Sequence, residues 1–520
     1  MRKILPLFLL LLAAGARLGA QPTWADDVAP ILYANCTKCH NPNGIAPFSL
    51  LTYNDASSMS FYIGNAVASG LMPPWPPDTN YSRLAHERIL KASERQAIID
   101  WVMNGSPSGN LSNAPTPPTY TGSAEIITPD LVSQMPNYTV GSSTDIYRCF
   151  VVPSNLPQNE FITEVEVLPG NRSIVHHVLV YQDVANTCIT LDNNDPGPGY
   201  TSFGGPGSST ATLVTGWVPG QGKYTLPGGM GIELQANANI IMQIHYPAGA
   251  IGQTDSTRVQ FKFSGGSVRN VSLLPILNHD YNMTDGPLFI PANTIQTFHE
   301  QETAFLTASV LTVAPHMHLL GKSIKSWAVD PNGDTIPFIS IPEWQFMWQG
   351  FYNFRQPVKV PAGSQLFAEA VYDNTSNNLY NPNTPPQNVS AGEATTDEMM
   401  IVYFAYTPYQ SGDENIIIDS ILLSAPPVMN DIVRTAQLYQ PYPTPSSGNV
   451  NVQYFLPEKG SLTLELFDLG GRRVRLLENE QDAPAGFGTH LLSLEALSPG
   501  TYLLQLRHNG ITRTKKIVRE

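Results

Sequence analysis

Only four cysteines occur in 520 residues, and only 13% of the residues are charged. Four thiols cannot build the dense disulfide framework of a small secreted scaffold. The 28 Lys and Arg stand against 42 Asp and Glu, and the formal net charge of −14 argues against nucleic acid or an anionic membrane surface as a partner. No apolar run is long enough for a membrane span. The longest near the start, residues 4–14, follows Met1-Arg2-Lys3 and precedes Leu18-Gly19-Ala20. That pattern reads as a secretory signal peptide over residues 1–20, with an exported chain starting near Gln21 and no Cys there for lipid attachment. Paired carboxylates or a Ser/His/Asp set of the kind hydrolytic chemistry needs are not evident.

What the chain does have is 45 Pro and 40 Gly, the mark of a β-rich, turn-rich protein, at a length too great for one domain. It has 11 His, and five of them fall in three short islands: Val175-His176-His177-Val178, Gln243-Ile244-His245-Tyr246 and Pro315-His316-Met317-His318-Leu319. Thr396-Asp397-Glu398-Met399 follows them. Neutral imidazole is the commonest metal ligand, and imidazoles with a thioether suit copper better than magnesium, calcium or manganese. Two ligand sets can be drawn: His176, His177 and His245 around one ion, and His316, His318 and Met399 around another. His316 and His318 lie two apart in an apolar stretch that reads as a strand, so both rings would face one side. His176 and His177 are adjacent, so a regular strand would point them apart. A shared ion requires a bulge or a strand end there.

Two cysteines sit in Cys36-Thr37-Lys38-Cys39-His40. C-x-x-C-H is the attachment signature of c-type haem, with two thioethers on the porphyrin and His40 as an axial ligand. Zinc lacks a second Cys pair nearby, and a thioredoxin-like pair lacks its βαβ setting. Residues 24–35 read as a helix running into the motif and residues 93–104 as a closing amphipathic helix. Met72, in Leu71-Met72-Pro73-Pro74-Trp75, is the best sixth ligand, ahead of Met59 and Met103. A His/Met pair raises the potential and suits electron transfer. Residues 21–105 thus resemble a small all-α cytochrome c-like domain. Residues 106–125, rich in Ser, Gly, Asn, Pro and Thr, read as a linker. The remaining pair, Cys149 and Cys188, favours a disulfide in an exported chain.

Past residue 430 short strands alternate, as in Leu462-Leu464-Leu466 and Tyr502-Leu504-Leu506, and predict a small β-sandwich over 435–520. Tyr442-Pro443-Thr444-Pro445, Asp468-Leu469-Gly470-Gly471-Arg472 and Ser498-Pro499-Gly500-Thr501-Tyr502 resemble the C-terminal sorting domain of type IX secretion. That resemblance implies export and sorting machinery as partners, and a secreted or cell-surface location on a Gram-negative bacterium, reached through the periplasm.

The ordered histidine islands resemble those of the copper type II ascorbate-dependent monooxygenases, the family of peptidylglycine alpha-hydroxylating monooxygenase and dopamine beta-hydroxylase. The likeness covers roughly residues 126–425. It implies two jelly-roll-like β-sandwich lobes, 126–285 and 286–425, each carrying one of two copper ions. His176, His177 and His245 would hold the electron-transferring copper. His316, His318 and Met399 would hold the oxygen-activating one, with Tyr403 beside it. The partners implied are a small organic substrate, O2 and an external electron donor, an ascorbate-like reductant or a redox protein. The departures are informative. An Arg that binds a substrate carboxylate in the peptide-amidating members is Ala314 here, and an Asn two residues past the copper Met is Ile401. Arg pairs strongly with carboxylates and Ala cannot, so a peptide with a C-terminal glycine is not the expected substrate. A Cys that often follows the copper Met is Met400. The reading that follows is an exported monooxygenase with a fused haem relay. Its rival is a haem and copper electron-transfer or copper-binding protein that hydroxylates nothing.

Overall fold

A computed structural model describes residues 21–120, 124–419, 436–438, 441 and 444–520. The signal peptide expected over residues 1–20 and the Tyr442-Pro443 opening of the tail lie outside them.

Residues 24–103 fold as short helices: Trp24–Val28 and Ala29–Asn35 in sequence, then Tyr53–Ser58, Ser60–Ala68 and Ala92–Met103. Thr52 and Asp55 form a reciprocal capping box that starts the third. Trp24, Leu32, Ile98, Ile99 and Trp101 make its core, each almost wholly buried. Two features differ from a domain on a flexible tether. Residues 106–120 are pinned along the helices: Pro107 O accepts from Trp24 N–H and from the Trp101 indole, and Tyr120 meets Thr37 and Asn43. Backbone carbonyls of Pro107 and Ser108 here satisfy the Trp24 and Ala25 N–H groups of the module, so the stretch is part of its surface and not a free linker. The segment after the Met72 loop crosses to the second β-lobe. Asp78 N–H donates to Ser340 O, Ala85 N–H to Asn353 O, and Arg355 Nε to Leu84 O. Leu84 is fully buried in that lobe's core, while Glu87 pairs with Arg83 and Arg355.

The first lobe packs two sheets. One runs Leu131–Gln134, Arg258–Phe263, Glu160–Leu168, Met230–Leu234, Arg269–Asn270. The other runs Tyr200–Thr201, Ile146–Pro153, Asn239–Tyr246, His177–Asp183, Thr212–Trp217. Asn239–Tyr246 is buried at every position, as expected of a central strand covered on both faces. The second lobe pairs Ser272–Asn278, Ile401–Pro408, Ala308–His316 and Tyr352–Val360 in one sheet. Its other sheet runs Ile295–Thr303, Gln365–Asp373, Gly321–Val329, Thr335–Ile341. Residues 272–278, expected in the first lobe, therefore belong to the second, because they pair with Ile401–Pro408 across a bulge at Pro275.

The tail forms the small sandwich its alternation predicts, with Leu462, Leu464, Leu466, Leu504 and Leu506 inward. Cys149 and Cys188 share a buried pocket with Tyr200 and Ile241, yet both are free thiols. The disulfide expected between them is not formed: the Cys188 thiol donates to Pro206 O instead.

Candidate metal centres in the cleft between the lobes

His177 is the first residue of its strand and sits opposite His245 in the register of the neighbouring one. His176 lies just before that strand and donates its N–H to His245 O at 2.9 Å. A strand end thus resolves the problem of two adjacent histidines. An Asn171-centred turn sets that end, Asn171 Oδ1 accepting from Ser173 N–H and hydroxyl. His176 Nδ1 lies 3.2 Å from His177 Nδ1 and 3.1 Å from His245 Nδ1. The candidate ligand atoms of all three lie within 4.8 Å of one another. Asp145 fixes the tautomer: its carboxylate takes His245 Nε2–H at 3.3 Å and leaves the Nδ1 lone pair facing the other rings. The hydrogen bond from His245 holds the Asp145 carboxyl well below the usual range. His176 Nε2 is buried without a partner. Burial pushes His176 down to about 4 and His177 well below its ordinary value, so the rings are neutral donors. Three converging imidazole lone pairs fit a borderline metal such as copper.

The strand Ala308–His316 ends at His316, and His318 lies past it. The pair is therefore not an i, i+2 pair within one strand. The buried Glu398 carboxylate accepts from His318 N–H at 2.9 Å, and also from Leu320 and Met399 N–H. Those donors are lost to any neighbouring strand, and the sheet stops there. The two rings still come together, with centroids 5.1 Å apart at 87°. His318 Nδ1–H donates to Asp397 O at 3.1 Å. His316 Nδ1–H donates to Gln349 Oε1, an amide oriented by its own Nε2 bond to Phe346 O. Both rings thus turn Nε2 lone pairs outward. Burial lowers His316 to about 4 and His318 to about 3. Met399 is 8% exposed, and its carbonyl takes the Tyr372 hydroxyl.

His176 and His177 of one set and His316, His318 and Met399 of the other line one cleft of about 550 Å³, whose walls also include Tyr147, Trp217, Phe351 and Tyr403. Ala314 and Ile401 line it, and so do Asp280 and Glu393; among the described residues that line it, none is Lys or Arg. Burial raises the Tyr403 phenol to about 12. Several contributors escape a reading of the sequence. Asp145, Phe346 and Gln349 reach the histidines from far along the chain, and His279 sits buried against Met400 in the cleft wall. Glu398 alone left a trace, as the neighbour of Met399.

The Cys-x-x-Cys-His segment lies at the end of Ala29–Asn35. His40 Nδ1–H donates to Phe48 O at 3.1 Å, which frees Nε2. Burial pushes the Cys36 thiol up to about 12. Cys39 lines a second cavity of about 860 Å³ together with Trp75, which follows Met72 by three residues, and Arg88. Val218, Pro219, Gly350 and Phe351 line both this cavity and the cleft.

Residues 131–250 match the family model of the copper type II ascorbate-dependent monooxygenase N-terminal domain, and residues 292–416 that of the C-terminal domain. Residues 440–520 match the secretion system C-terminal sorting domain. The chain therefore carries the two copper monooxygenase domains and a C-terminal sorting domain. It is 22% identical over 307 residues to DBH-like monooxygenase protein 1 of Mus musculus, covering 54% of this chain and 47% of that protein, so it spans about half the length of that curated relative. Among solved structures, PNGF-II is similar over 54% of this chain and 65% of that one, at 10% identity and a TM-score of 0.25. A Faecalibacterium prausnitzii beta-glucuronidase is similar over 43% and 37%, at 12% identity and a TM-score of 0.13. At these scores neither bears on the fold or the function. No helix among the described residues is long and apolar enough to cross a membrane.

Proposed function

We propose that this chain is an exported copper-dependent monooxygenase that hydroxylates a C–H bond of a small organic substrate with O2. The observation that carries the reading is the facing of two neutral donor sets across one cleft: three Nδ1 atoms on one side, His316, His318 and Met399 on the other. In this reading His176, His177 and His245 hold the electron-transferring copper. His316, His318 and Met399 hold the oxygen-activating copper, and Tyr403 helps to seat the substrate. Bound copper supplies one-electron chemistry with O2, and a thioether ligand favours the cuprous state that reacts with it. The protein's part is to keep the rings unprotonated by burial, to orient them through Asp145, Gln349 and Asp397, and to enclose the reaction. An aromatic cleft without a cationic side chain suits a neutral or cationic substrate with an apolar body and gives a carboxylate no partner.

We further infer that the helical module is cytochrome c-like and carries one covalent c-type haem on Cys36, Cys39 and His40, with Met72 as sixth ligand, to pass electrons from an external donor toward the cleft. The freed His40 Nε2 supports this. The sorting domain supports type IX delivery to the outside of the cell or its surface.

Metal analysis combined with oxygen uptake under ascorbate tests the reading. Two coppers per chain and O2 consumed in step with a hydroxylated product are expected. Full copper loading with no substrate-dependent uptake across phenethyl, terpenoid and peptide compounds would favour the electron-transfer alternative. Haem that organic solvent extracts from the denatured protein would remove the covalent haem.

A further inference from the structure

The short loop between Thr335–Ile341 and Tyr352–Val360 is anchored to the second lobe's histidines and reaches the first lobe's. Trp344 donates its indole N–H to His318 O at 3.2 Å and its backbone N–H to Lys322 O. Gln349 holds His316 Nδ1–H while donating to Phe346 O at 2.9 Å. Between these anchors a single 3-10 turn, Phe346–Trp348, projects Phe346 into the cleft. Its ring stacks on His176 of the first lobe, 5.4 Å between centroids at 20°, and meets His318 of the second edge-on, at 6.0 Å and 87°. Offset stacking and edge-to-face contact are the two arrangements aromatic rings prefer. Five residues on, Phe351 presses on the first lobe at Gly216, where a Cβ would run into its ring.

We propose that Phe346 is a positioning residue that fixes the separation of the two donor sets. This rests on the copper reading above. The physical reason lies in the loop's anchoring. Hydrogen bonds tie the Trp344 indole and the Gln349 amide to the same two histidines whose ring nitrogens are candidate ligands. Phe346 therefore moves with the second set and bears directly on a ring of the first. A displacement of either lobe across the cleft must break one of its two ring contacts.

The test uses full-length protein loaded with two Cu(II) ions and reads the magnetic dipolar coupling between them by electron paramagnetic resonance, which needs no turnover. Wild-type protein is expected to give one well-defined coupling. Phe346→Ala should retain two coppers but show a weaker, broadened coupling, with more O2 escaping as hydrogen peroxide per product formed. Its yield of product should fall by up to about a hundredfold, the scale of a 1 Å misplacement of reacting groups. Phe346→Tyr keeps the ring and should keep the wild-type coupling, which separates the ring's role from loss of fold. An unchanged coupling and unchanged peroxide yield in Phe346→Ala would overturn the proposal while leaving the copper reading intact. Wild-type protein that binds no copper, or copper at one set only, overturns the copper reading itself and this inference with it.

Discussion

Thr395 of the second lobe donates its hydroxyl to Asp145 of the first at 2.9 Å. The same carboxylate takes His245 Nε2–H and Ala248 N–H, so one side chain orients a candidate ligand and ties the lobes together. Carboxylates that hold a ligating imidazole typically contribute 10- to 100-fold in metal affinity. Asp145→Ala is therefore expected to weaken copper at the His176/His177/His245 set by roughly that factor and to leave the other set unchanged. Competition titration with a Cu(I) chelator would show it. Equal weakening of both sites would assign Asp145 to lobe docking alone.

The two donor sets should separate genetically. His245→Ala removes one of three imidazoles and is expected to lower copper content to about one per chain, since catalytic or structural metals are held by three or more protein ligands. Met399→Ala should leave the three-histidine site filled while abolishing hydroxylation. Copper content by elemental analysis, with product assayed under ascorbate, reads both. Normal hydroxylation by Met399→Ala would show that the oxygen site is wrongly placed.

Acid should destabilise the copper-free protein. Burial holds His176 and His316 down to about 4 and His318 down to about 3 from an ordinary 6.5. Between those values the unfolded chain binds more protons than the folded one. Stability is therefore full above about pH 6.5 and falls as pH drops toward 4, by up to about 1.4 kcal/mol per pH unit for each ring. Thermal melts of the copper-free protein across that window should show Tm falling. A Tm independent of pH there would mean that the rings are protonated at little cost. Copper release should follow the same direction, because protons compete for the ligand nitrogens.

Much of this was legible in the sequence, and the part that was not has a physical reason. The histidine islands pointed to His176, His177 and His245, whose candidate ligand atoms do converge, and alternation at Leu462, Leu464 and Leu466 announced the tail sandwich. Period-2 reasoning flagged the adjacent His176 and His177 as needing a strand end, and the strand does begin at His177. The same reasoning kept His318 in a strand, because it could not see Glu398 capturing the His318 and Leu320 N–H groups. Composition made residues 106–125 a tether, whereas 106–120 satisfy donors of the helices beside them. Asp145, Gln349 and Phe346 act across 100, 33 and 170 residues of chain, as their contacts with His245, His316 and His176 show, and no local pattern marks them.

The last expectation concerns why a Cys-x-x-Cys-His module sits beside two candidate copper sites. Each hydroxylation takes two electrons and a c haem stores one, so a haem here would serve as a relay that an external donor refills. A flexible tether would supply only a raised local concentration. The module is instead fixed, with Leu84 sunk in the second lobe and Glu87 bonded to Arg355. Its cavity meets the cleft at a shared wall of Val218, Pro219, Gly350 and Phe351, and Gly220 lies so near Cys39 that a Cβ there would be 3.3 Å from its sulfur. Trp217, which begins that wall segment, pairs with Val178, next to His177. The module therefore approaches the three-histidine set, although it is anchored on the other lobe. Stopped-flow mixing of fully reduced protein with O2 and substrate should show haem oxidation kinetically tied to turnover. His177→Ala should slow it, and lengthening the chain within residues 106–120 should not, because the docking through residues 78–87 holds the distance. Haem that stays reduced while product accumulates would deny the module this role. Oxidation that slows when 106–120 is lengthened would show that this pinned stretch, not the docked segment, governs the approach.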